Sequence, residues 1–383
     1  MPLPHEELVA RARALAPGIA ARAQETEQLR RPHDDTIAEL VDAELIPILV
    51  PRRWGGHELG LDTLREVVET ISAACLSTGW VLDFYIGHCV FATRFSERAQ
   101  QEFFADRPFI LAPATTSPTT RAERVTGGWR VTGRIPWASG IMHADWAFCV
   151  GFTPDNALLA FAVRASEVEI DDVWHMSGMA GTGSNTIILD NVYVPDHRAL
   201  PVQSLTSGNT PGTAIHPNPL YRAPLIPFLL AQSAPVFSGA LRGATTAFTQ
   251  IIQSRTTTYE LKSLKDDPHT HIKLGEATTN AHIAERLVSD LVAQVTTRIP
   301  TDFPLSTRVN LKSQTAYLAR HCLNAVSDMS TTAGAAAHSL SSPLQRFHRD
   351  LTLLSTHAFW SWQTSTEQSG RHTLSLPPTT PLL

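Results

Sequence analysis

The sequence predicts an α+β fold that is mostly α-helical, with helices at both ends of the chain and strands between them. Apolar residues recur at helical spacing before about residue 110 and after about residue 224. Between these regions, short β-rich runs are separated by turn residues. The chain has 383 residues, of which 43% are hydrophobic and 17% charged, a composition typical of a globular protein with more than one core.

We expect three parts: an N-terminal helical domain (1–110), a central β domain (111–205) and a C-terminal helical bundle (206–383) that opens with a loop, 206–224. The first part contains the helical patterns EELVARARALAPGIAARAQETEQLRR and DDTIAELVDAELIPIL. The stretch LDTLREVVETISAACLSTGWVLDFYIGHCVFATRF follows, and its more apolar second half predicts a buried helix.

The central part is predicted to be β-structure from the runs GGWRVTGR, WAFCVGF, LLAFAVR and TIILDNVYVP. Gly127 and Gly128 mark a hairpin turn. The stretch 201–224 is rich in proline, glycine, serine and threonine and predicts an extended loop. Long helical patterns then continue to the C-terminus, and the last, PLQRFHRDLTLLSTHAFWSWQTSTEQ, predicts a single bundle helix.

Composition argues against several classes of function. The net charge of −5 gives no reason to expect a nucleic-acid partner. The 16 histidines show no HExxH or paired ligand spacing, so we predict no metal ion. No uninterrupted apolar run reaches the roughly 18 residues that a membrane span needs, and no secretion signal is evident. The four cysteines lack metal-type spacing, which favours free buried thiols and a cytoplasmic protein.

Two segments of the β domain carry residue types suited to a ligand. In the loop 174–184, glycines allow close backbone approach, and the hydroxyls of Thr182 and Ser184 offer donors to a ring edge or a phosphate. The strand from Gly128 ends in small residues after Trp137. An ordinary glycine-rich turn is the alternative. No GxGxxG lies between a strand and a helix, so a Rossmann site is not indicated.

Five segments, in order along nearly the whole chain, resemble the acyl-CoA dehydrogenase superfamily. They are LVDAELIPILVPRRWGGHELG, STGWVLDFYIGH, GGWRVTGRIPWASGIMHADW, DVWHMSGMAGTGSNTIILDNVYVPDHR and SSPLQRFHRDLTLLSTHAFWSW. Within the superfamily the chain looks closest to flavin-dependent monooxygenases that are oxygenase components of two-component systems. The resemblance implies an N-terminal helical domain, a central β-barrel domain and a C-terminal four-helix bundle. It also implies a homotetramer or homodimer, with the flavin between the β domain and the bundle and partly held by a neighbouring subunit.

The end of the bundle distinguishes an oxygenase from a dehydrogenase. Many acyl-CoA dehydrogenases carry a catalytic glutamate shortly after an Arg-Asp pair on the last helix. Here the pair is Arg349-Asp350, and His357 occupies the matching place. Glu367 lies about 2.5 helical turns further on, too far to substitute. Some relatives place the base on another helix, so a dehydrogenase remains an alternative.

His357 is the first candidate catalytic residue. On a helix its neighbours are Leu353, Leu354 and Trp360, an apolar setting that shifts the pKa of an imidazole. The resemblance matches it to the histidine that related oxygenases place beside the reacting part of the flavin, and the alternative is a hydrogen-bonded core histidine. His88 and Ser139 are the second and third candidates. The alternative for His88 is a helix histidine bonded to a backbone carbonyl, and the alternative for Ser139 is a plain turn serine.

The resemblance also implies the flavin contacts. Arg255, which follows the first bundle helix, matches an arginine that reaches a neighbouring subunit's flavin phosphate, although an isolated arginine is more often a surface residue. Ala180 stands where many relatives have arginine, and residues 115–125 lack the usual glycine-rich turn, which leaves FAD or FMN open. The β-domain residues that match flavin contacts are Trp137, Ala138, Ser139, Thr182, Gly183 and Ser184.

The resemblance implies an oxygenase that uses reduced flavin, FADH2 or FMNH2, with O2 as co-substrate. A flavin C4a-hydroperoxide would insert one oxygen atom into a phenol- or indole-like aromatic molecule. The chain has no NAD(P)H fingerprint, so a separate NAD(P)H:flavin reductase is the expected partner. The alternatives are an acyl-CoA dehydrogenase, an N-hydroxylase of an amino sugar and a non-catalytic flavin-binding relative.

Overall fold

The N-terminal part is helical because its apolar residues recur along one side of each segment. The structure is a computed structural model that describes residues 2–256, 263–299, 302–380 and 383. The helices here are α1 (His5–Ala21), α2 (Ala23–Leu29), α3 (Asp34–Asp42), α4 (Leu61–Ala74), α5 (Leu76–Ala92) and α6 (Glu97–Phe103). The predicted buried helix is α5, which is enclosed on nearly every side.

The central part forms one sheet in the order β5-β6-β2-β1-β3-β4-β7. Its strands are β1 (Ala114–Val125), β2 (Gly128–Ala138), β3 (Trp146–Phe152), β4 (Leu158–Arg164), β5 (Glu169–Asp171), β6 (Asn185–Pro195) and β7 (Ala199–Pro201). β1 and β2 form the predicted hairpin, with Val125 paired to Gly128. β1 and β3 run parallel, and the other neighbouring pairs are antiparallel.

The end of β2 departs from regular pairing. The register with β6 shifts between Ile135 and Ala138, a bulge that leaves Trp137 in a left-handed conformation with a φ of 63°. Trp137 is therefore 62% exposed, while Ala138 faces the apolar core of the β domain. The bulge thus turns one large aromatic ring out of the sheet at the end of β2.

The C-terminal helices are α7 (Val202–Ser207), α8 (Leu225–Ser233), α9 (Pro235–Ser254), α10 (Pro268–Arg298), α11 (Leu305–Ala333), α12 (Pro343–Leu354) and α13 (Trp362–Thr373). α9 packs against α10, α11 and α12, and also against α4 of the N-terminal part. By length and composition the segment 225–254 is apolar enough to cross a membrane, but 83% of its most apolar window is buried inside the protein. This segment therefore forms part of the protein core.

Two expectations about the C-terminal part are wrong. The stretch 201–224 is not extended, because α7 and two 3₁₀ turns, Pro211–Ala214 and Pro219–Arg222, occupy most of it. Prolines begin both turns, where a missing N–H group has no cost. The last predicted helix is also divided into α12 and α13, with a 3₁₀ turn, Ala358–Trp360, between them.

The structure shows the state of the four cysteines and the arrangement of side chains that could bind a metal ion. Cys75, Cys89, Cys149 and Cys322 are buried and free, as predicted. Within the described ranges, no group of three or more histidine, cysteine, aspartate or glutamate side chains is arranged to hold a metal ion.

Candidate functional site

His357 lies on the turn between α12 and α13, not on a helix as the sequence predicts. α12 ends at Leu354, whose carbonyl accepts the indole N–H of Trp360 at 2.6 Å. The Nδ1 atom of His357 accepts the backbone N–H of Phe359 at 3.2 Å and so caps the 3₁₀ turn. Because Nδ1 is an acceptor, the neutral ring carries its proton on Nε2. His357 therefore presents a hydrogen-bond donor.

The His357 ring packs against two tryptophans and remains accessible to solvent. It stacks on Trp360 with ring centroids 4.8 Å apart, and the edge of Trp80 lies 6.1 Å away. The His357 side chain is nevertheless exposed to solvent in the single chain. Aromatic neighbours therefore cover part of the ring, and the rest is accessible. Burial by these neighbours lowers the pKa of His357 to about 4, and the positive charge of Lys312 adds to the effect. The ring is neutral near pH 7.

A chain of hydroxyl groups leads away from Trp80. The indole Nε1–H donates to Ser139 Oγ at 3.1 Å, Ser139 contacts Ser184 at 2.8 Å, and Ser184 contacts Thr182 at 2.6 Å. Thr182 donates to the carbonyl of Met179 at 2.8 Å. Each hydroxyl has one proton, so the direction is fixed: Ser184 donates to Thr182, and Ser139 donates to Ser184. We call this set, from Trp80 to the Met179 carbonyl, the hydroxyl chain.

The hydroxyl chain determines whether the predicted site hydroxyls can donate to a ligand or only accept. Sequence reasoning treated Thr182 and Ser184 as donors to a ligand, but in the structure the three hydroxyl protons are all used inside the protein. Each oxygen can still accept a further bond. Ser139 is only 5% exposed. The three residues therefore fix the shape of the site and offer lone pairs toward a ligand.

The two predicted flavin-binding segments are bonded directly to each other. The N–H of Gly140 donates to the carbonyl of Thr182 at 2.9 Å, and the hydroxyl of Tyr85 donates to the carbonyl of Gly140 at 2.5 Å. Gly140 has a φ of 80°, and a Cβ there would lie 2.8 Å from the Tyr85 oxygen, so glycine is required. Ser139 and the 182–184 segment thus come together, as the sequence predicts.

The same loop is fastened to the bundle. The carboxylate of Asp350 on α12 accepts the N–H of Met179, and Arg349 donates to the carbonyl of Ser177 at 2.6 Å. Arg349 also pairs with Glu27 of α2 at 2.5 Å. Burial raises the pKa of Asp350 to about 7. The Arg-Asp pair therefore positions the loop relative to α12.

Apolar surface adjoins this cluster. Trp137 is 62% exposed and Met142 38% exposed. Gly183, with a φ of 55°, turns the backbone beside Met142. Backbone groups, hydroxyl oxygens and exposed apolar side chains are thus within one region, a combination suited to a flat ring system with a polar edge. Ala138, by contrast, is fully buried and supports this region from beneath.

His88 has the opposite tautomer to His357. Its Nδ1 faces the carbonyl of Ala112 at 2.7 Å and must donate, so the neutral ring keeps a lone pair on Nε2. Burial lowers the pKa of His88 to about 4. Its ring lies 4.7 Å from that of Phe84, which lies 4.4 Å from that of Trp80. Trp80, Phe84 and His88 thus form a continuous row of rings along α5.

Arg255 is not brought to this cluster within one chain. It follows the end of α9, and its guanidinium donates to the carbonyl of Ala333. Phe237, near the start of α9, contacts Trp360 with ring centroids 5.2 Å apart. The 18 residues between Phe237 and Arg255 span about 27 Å of helix, well beyond the reach of an arginine side chain.

Glu367, His143 and His175 have other partners. Glu367, on α13, accepts from Thr379 at 3.3 Å near the C-terminus. His143 Nε2 lies 2.7 Å from a carboxylate oxygen of Asp34. His175 Nε2 lies 3.5 Å from an Arg30 nitrogen.

Sequence reasoning missed three residues of the site: Trp80, Phe84 and Lys312. Trp80 and Phe84 precede His88 by eight and four residues, so helical spacing alone places all three along one side of α5. That spacing could have identified Trp80 and Phe84 from the sequence. Nothing in the sequence marked Lys312, since a single lysine in a helical pattern is ordinarily a surface residue.

Comparisons with known proteins show which family and fold the chain resembles. Residues 231–362 match the family described as acyl-CoA dehydrogenase, C-terminal domain. The chain is 41% identical to a pigment production hydroxylase of Rhodococcus sp. (strain ATCC 21145), over 100% of both chains. It is 30% identical to the oxygenase component of an FADH(2)-dependent resorcinol hydroxylase of Rhizobium sp. (strain MTP-10005), over 98% of this chain and 96% of that one. The structure of XiaF from Streptomyces sp., in complex with FADH2 and glycerol, superposes with a TM-score of 0.92 at 27% identity, over 99% and 98% of the chains.

Proposed function

Because this chain belongs to the oxygenase components of flavin-dependent monooxygenases with the acyl-CoA dehydrogenase fold, we propose that it hydroxylates a small phenol-like molecule and that His357 is its principal catalytic residue. It is an enzyme of the monooxygenase class that uses reduced flavin to hydroxylate aromatic molecules. The observation that carries the proposal is a neutral histidine that has its proton on Nε2, is accessible to solvent and lies close to Trp80, where the hydroxyl chain begins.

The residues present fit a flavin. The exposed ring of Trp137 and the side chain of Met142 suit the faces of a planar ring system. Thr182 and Ser184 retain acceptor lone pairs for its polar edge, and Gly183 lets the backbone approach. When bound and reduced, the flavin supplies the electrons with which O2 transfers one oxygen atom to the substrate.

The protein's own contribution is to place hydrogen-bond donors and acceptors around the reacting atoms. The Nε2–H of His357 donates to oxygen atoms on which negative charge develops during transfer. The Nε2 lone pair of His88 accepts the substrate hydroxyl and makes the aromatic ring more electron-rich. Ser139 gives its proton to Ser184 and accepts from Trp80, so that its remaining lone pair is an acceptor that orients the substrate.

Further features of the proposal concern partners and cofactor. We propose FADH2 rather than FMNH2, because the resorcinol hydroxylase and XiaF are named or described with FADH2. A separate NAD(P)H:flavin reductase supplies it, and an indole is the second substrate class. We also propose a cytoplasmic homodimer or homotetramer in which Arg255 serves the flavin of a neighbouring subunit. The proposed domains are 1–110, 111–205 and 206–383.

Two substitutions at His357 test the catalytic proposal. Asparagine keeps an oxygen that caps the turn but removes the distal N–H, whereas alanine removes both. We expect His357→Asn to lower product per flavin oxidised by about 100-fold or more, the scale of a lost acid–base group, with the fold and flavin binding intact. His357→Ala should additionally destabilise the turn by about 1 kcal/mol.

The assay mixes protein loaded with anaerobically reduced FAD with oxygenated buffer that contains resorcinol or another simple phenol. Hydroxylated product and hydrogen peroxide are then quantified by chromatography and a peroxide assay. Wild-type product yield from His357→Asn contradicts the role of His357. Complete conversion of O2 to hydrogen peroxide by the wild-type protein with every phenol and indole tested contradicts the proposed substrate class.

A further inference from the structure

Lys312 is a buried lysine next to the proposed catalytic turn. It lies on α11 and is 1% exposed, one of the largest fully buried side chains in the protein. An ammonium group away from water is costly unless it is well compensated. Among the described residues it has no carboxylate partner, and burial alone lowers its pKa to about 8. A lysine retained in this setting calls for a specific role.

One residue, Phe359, connects Lys312 to His357 through its two backbone groups. The Nζ atom of Lys312 donates to the carbonyl of Phe359 at 3.0 Å. The N–H of that same residue, Phe359, donates to Nδ1 of His357 at 3.2 Å. Lys312 therefore holds the residue that fixes the orientation of the imidazole, and it places a positive charge nearby.

We propose that Lys312 is a positioning residue that holds His357 capped on the 3₁₀ turn with its proton on Nε2, and that its charge extends the neutral state of the ring to lower pH. This inference rests on the proposed role of His357. A protonated imidazole carries hydrogen on both nitrogens, so Nδ1 would lose the bond from Phe359 and the turn would lose its cap. The ammonium group opposes that second proton by charge repulsion and holds the turn by its bond to the Phe359 carbonyl.

Other ionisable groups do not account for the state of His357. Burial lowers the pKa of His357 most, and among the described residues the charge of Lys312 lowers it further. Asp83 is bonded to Ser233, and His88 to the Ala112 carbonyl. The ionisable side chains on elements around the turn, besides Lys312, are Asp83, Tyr85, His88 and Cys89 on α5, Arg242 on α9, Arg308, Tyr317, Arg320, His321, Cys322 and Asp328 on α11, Arg346, His348, Arg349 and Asp350 on α12, and Glu367, Arg371 and His372 on α13.

Two substitutions separate the charge of Lys312 from its hydrogen bond. Lys312→Met keeps the length and apolar stem but removes both, while Lys312→Gln keeps a donor for the Phe359 carbonyl. In both variants we expect the pKa of His357 to rise by about one unit, the scale on which a neighbouring charge acts. Lys312→Gln should retain the bond from Phe359 to Nδ1 near pH 7, and it serves as the informative variant if Lys312→Met does not fold.

The measurement is a pH titration by NMR of the full chain labelled with ¹⁵N-histidine, in which the His357 signal is assigned by its loss in His357→Asn. The ring nitrogen shifts report both the pKa and the tautomer. An unchanged His357 pKa in a folded Lys312→Gln protein overturns the proposal, as does a wild-type His357 that carries its proton on Nδ1. A raised pKa in that variant supports it.

The acid side of the product-yield profile provides a second readout. Since His357 functions in its neutral form, the pH below which product falls should move up by about one unit in both variants. A purely structural lysine would lower the yield equally at all pH values. The titration requires no substrate, so a wild-type protein that makes no product contradicts the proposed function and leaves the NMR result to decide the role of Lys312.

Discussion

Ser139 shows how one side chain in the site takes a role different from that which its type suggests. It accepts from Trp80 and donates to Ser184, so its proton is not available to a ligand. The consequence is that Ser139 contributes to the stability of the folded protein as well as to substrate orientation. His88 and His357 form a similar contrast, since their opposite tautomers provide one acceptor and one donor at Nε2.

Ser139→Ala tests the structural role of the hydroxyl chain. The substitution leaves the buried N–H of Trp80 without its acceptor, and we expect the free energy of unfolding to fall by about 1–3 kcal/mol. Urea unfolding at a fixed protein concentration measures the change. Ser207→Ala, at an exposed helix end, is the matched control and should stay within about 0.5 kcal/mol of wild type. Equal stability of the two variants contradicts the structural role.

The junction between α12 and the loop 174–184 depends on the protonation of one carboxyl. Burial raises the pKa of Asp350 to about 7 in the folded protein, against about 3.9 in an unfolded chain. Between these values the folded state holds a proton that the unfolded state has released. This group therefore lowers the free energy of unfolding as pH rises from about 4 to about 7.

Asp350→Asn keeps an oxygen for the N–H of Met179 but removes the titration. We expect the variant to gain stability relative to wild type between pH 5 and pH 7, because the other ionisable groups are common to both proteins and cancel in the difference. Urea unfolding of both proteins at several pH values in this window gives that difference. Parallel stability profiles would show that the carboxyl titrates at an ordinary pKa in the fold.

Elements with a complete local signal were predictable from the sequence. The runs at 146–152 and 158–164 coincide with β3 and β4, because β-branched and aromatic residues there end at turn residues. The division of the last helix was not predictable, since apolar spacing continues through Leu353, Leu354 and Phe359. The break depends on the bond from Trp360 to the Leu354 carbonyl, which exists only after the turn has folded.

The candidate site was predictable in part for the same reason. The residues near Ser139 and Thr182 lie in segments whose family resemblance is evident in the sequence, and the structure brings them together. The tautomers of the histidines and the burial of Lys312 depend on contacts between elements far apart in sequence. No pattern within a single segment contains that information.

The proposal that two subunits share a site depends on the distance between Arg255 and the turn that holds His357. About 27 Å of α9 separates Arg255 from the turn that holds His357, so a site using both residues at short range must take them from two chains. In a symmetric oligomer each subunit then provides one half of two different sites. The proposed homodimer or homotetramer would thus be needed for flavin binding as well as for stability.

Co-expression of Arg255→Ala and His357→Asn chains tests this arrangement. Each variant alone should make little product, the first because flavin binds weakly and the second because the Nε2 donor is missing. In a random mixture, a site is intact when its own chain carries His357 and the neighbouring chain carries Arg255, so about a quarter of wild-type product should return. Proteins expressed separately and mixed without subunit exchange provide the control. If each site is complete within one chain, no intact site forms and co-expression restores nothing, which would contradict the shared arrangement.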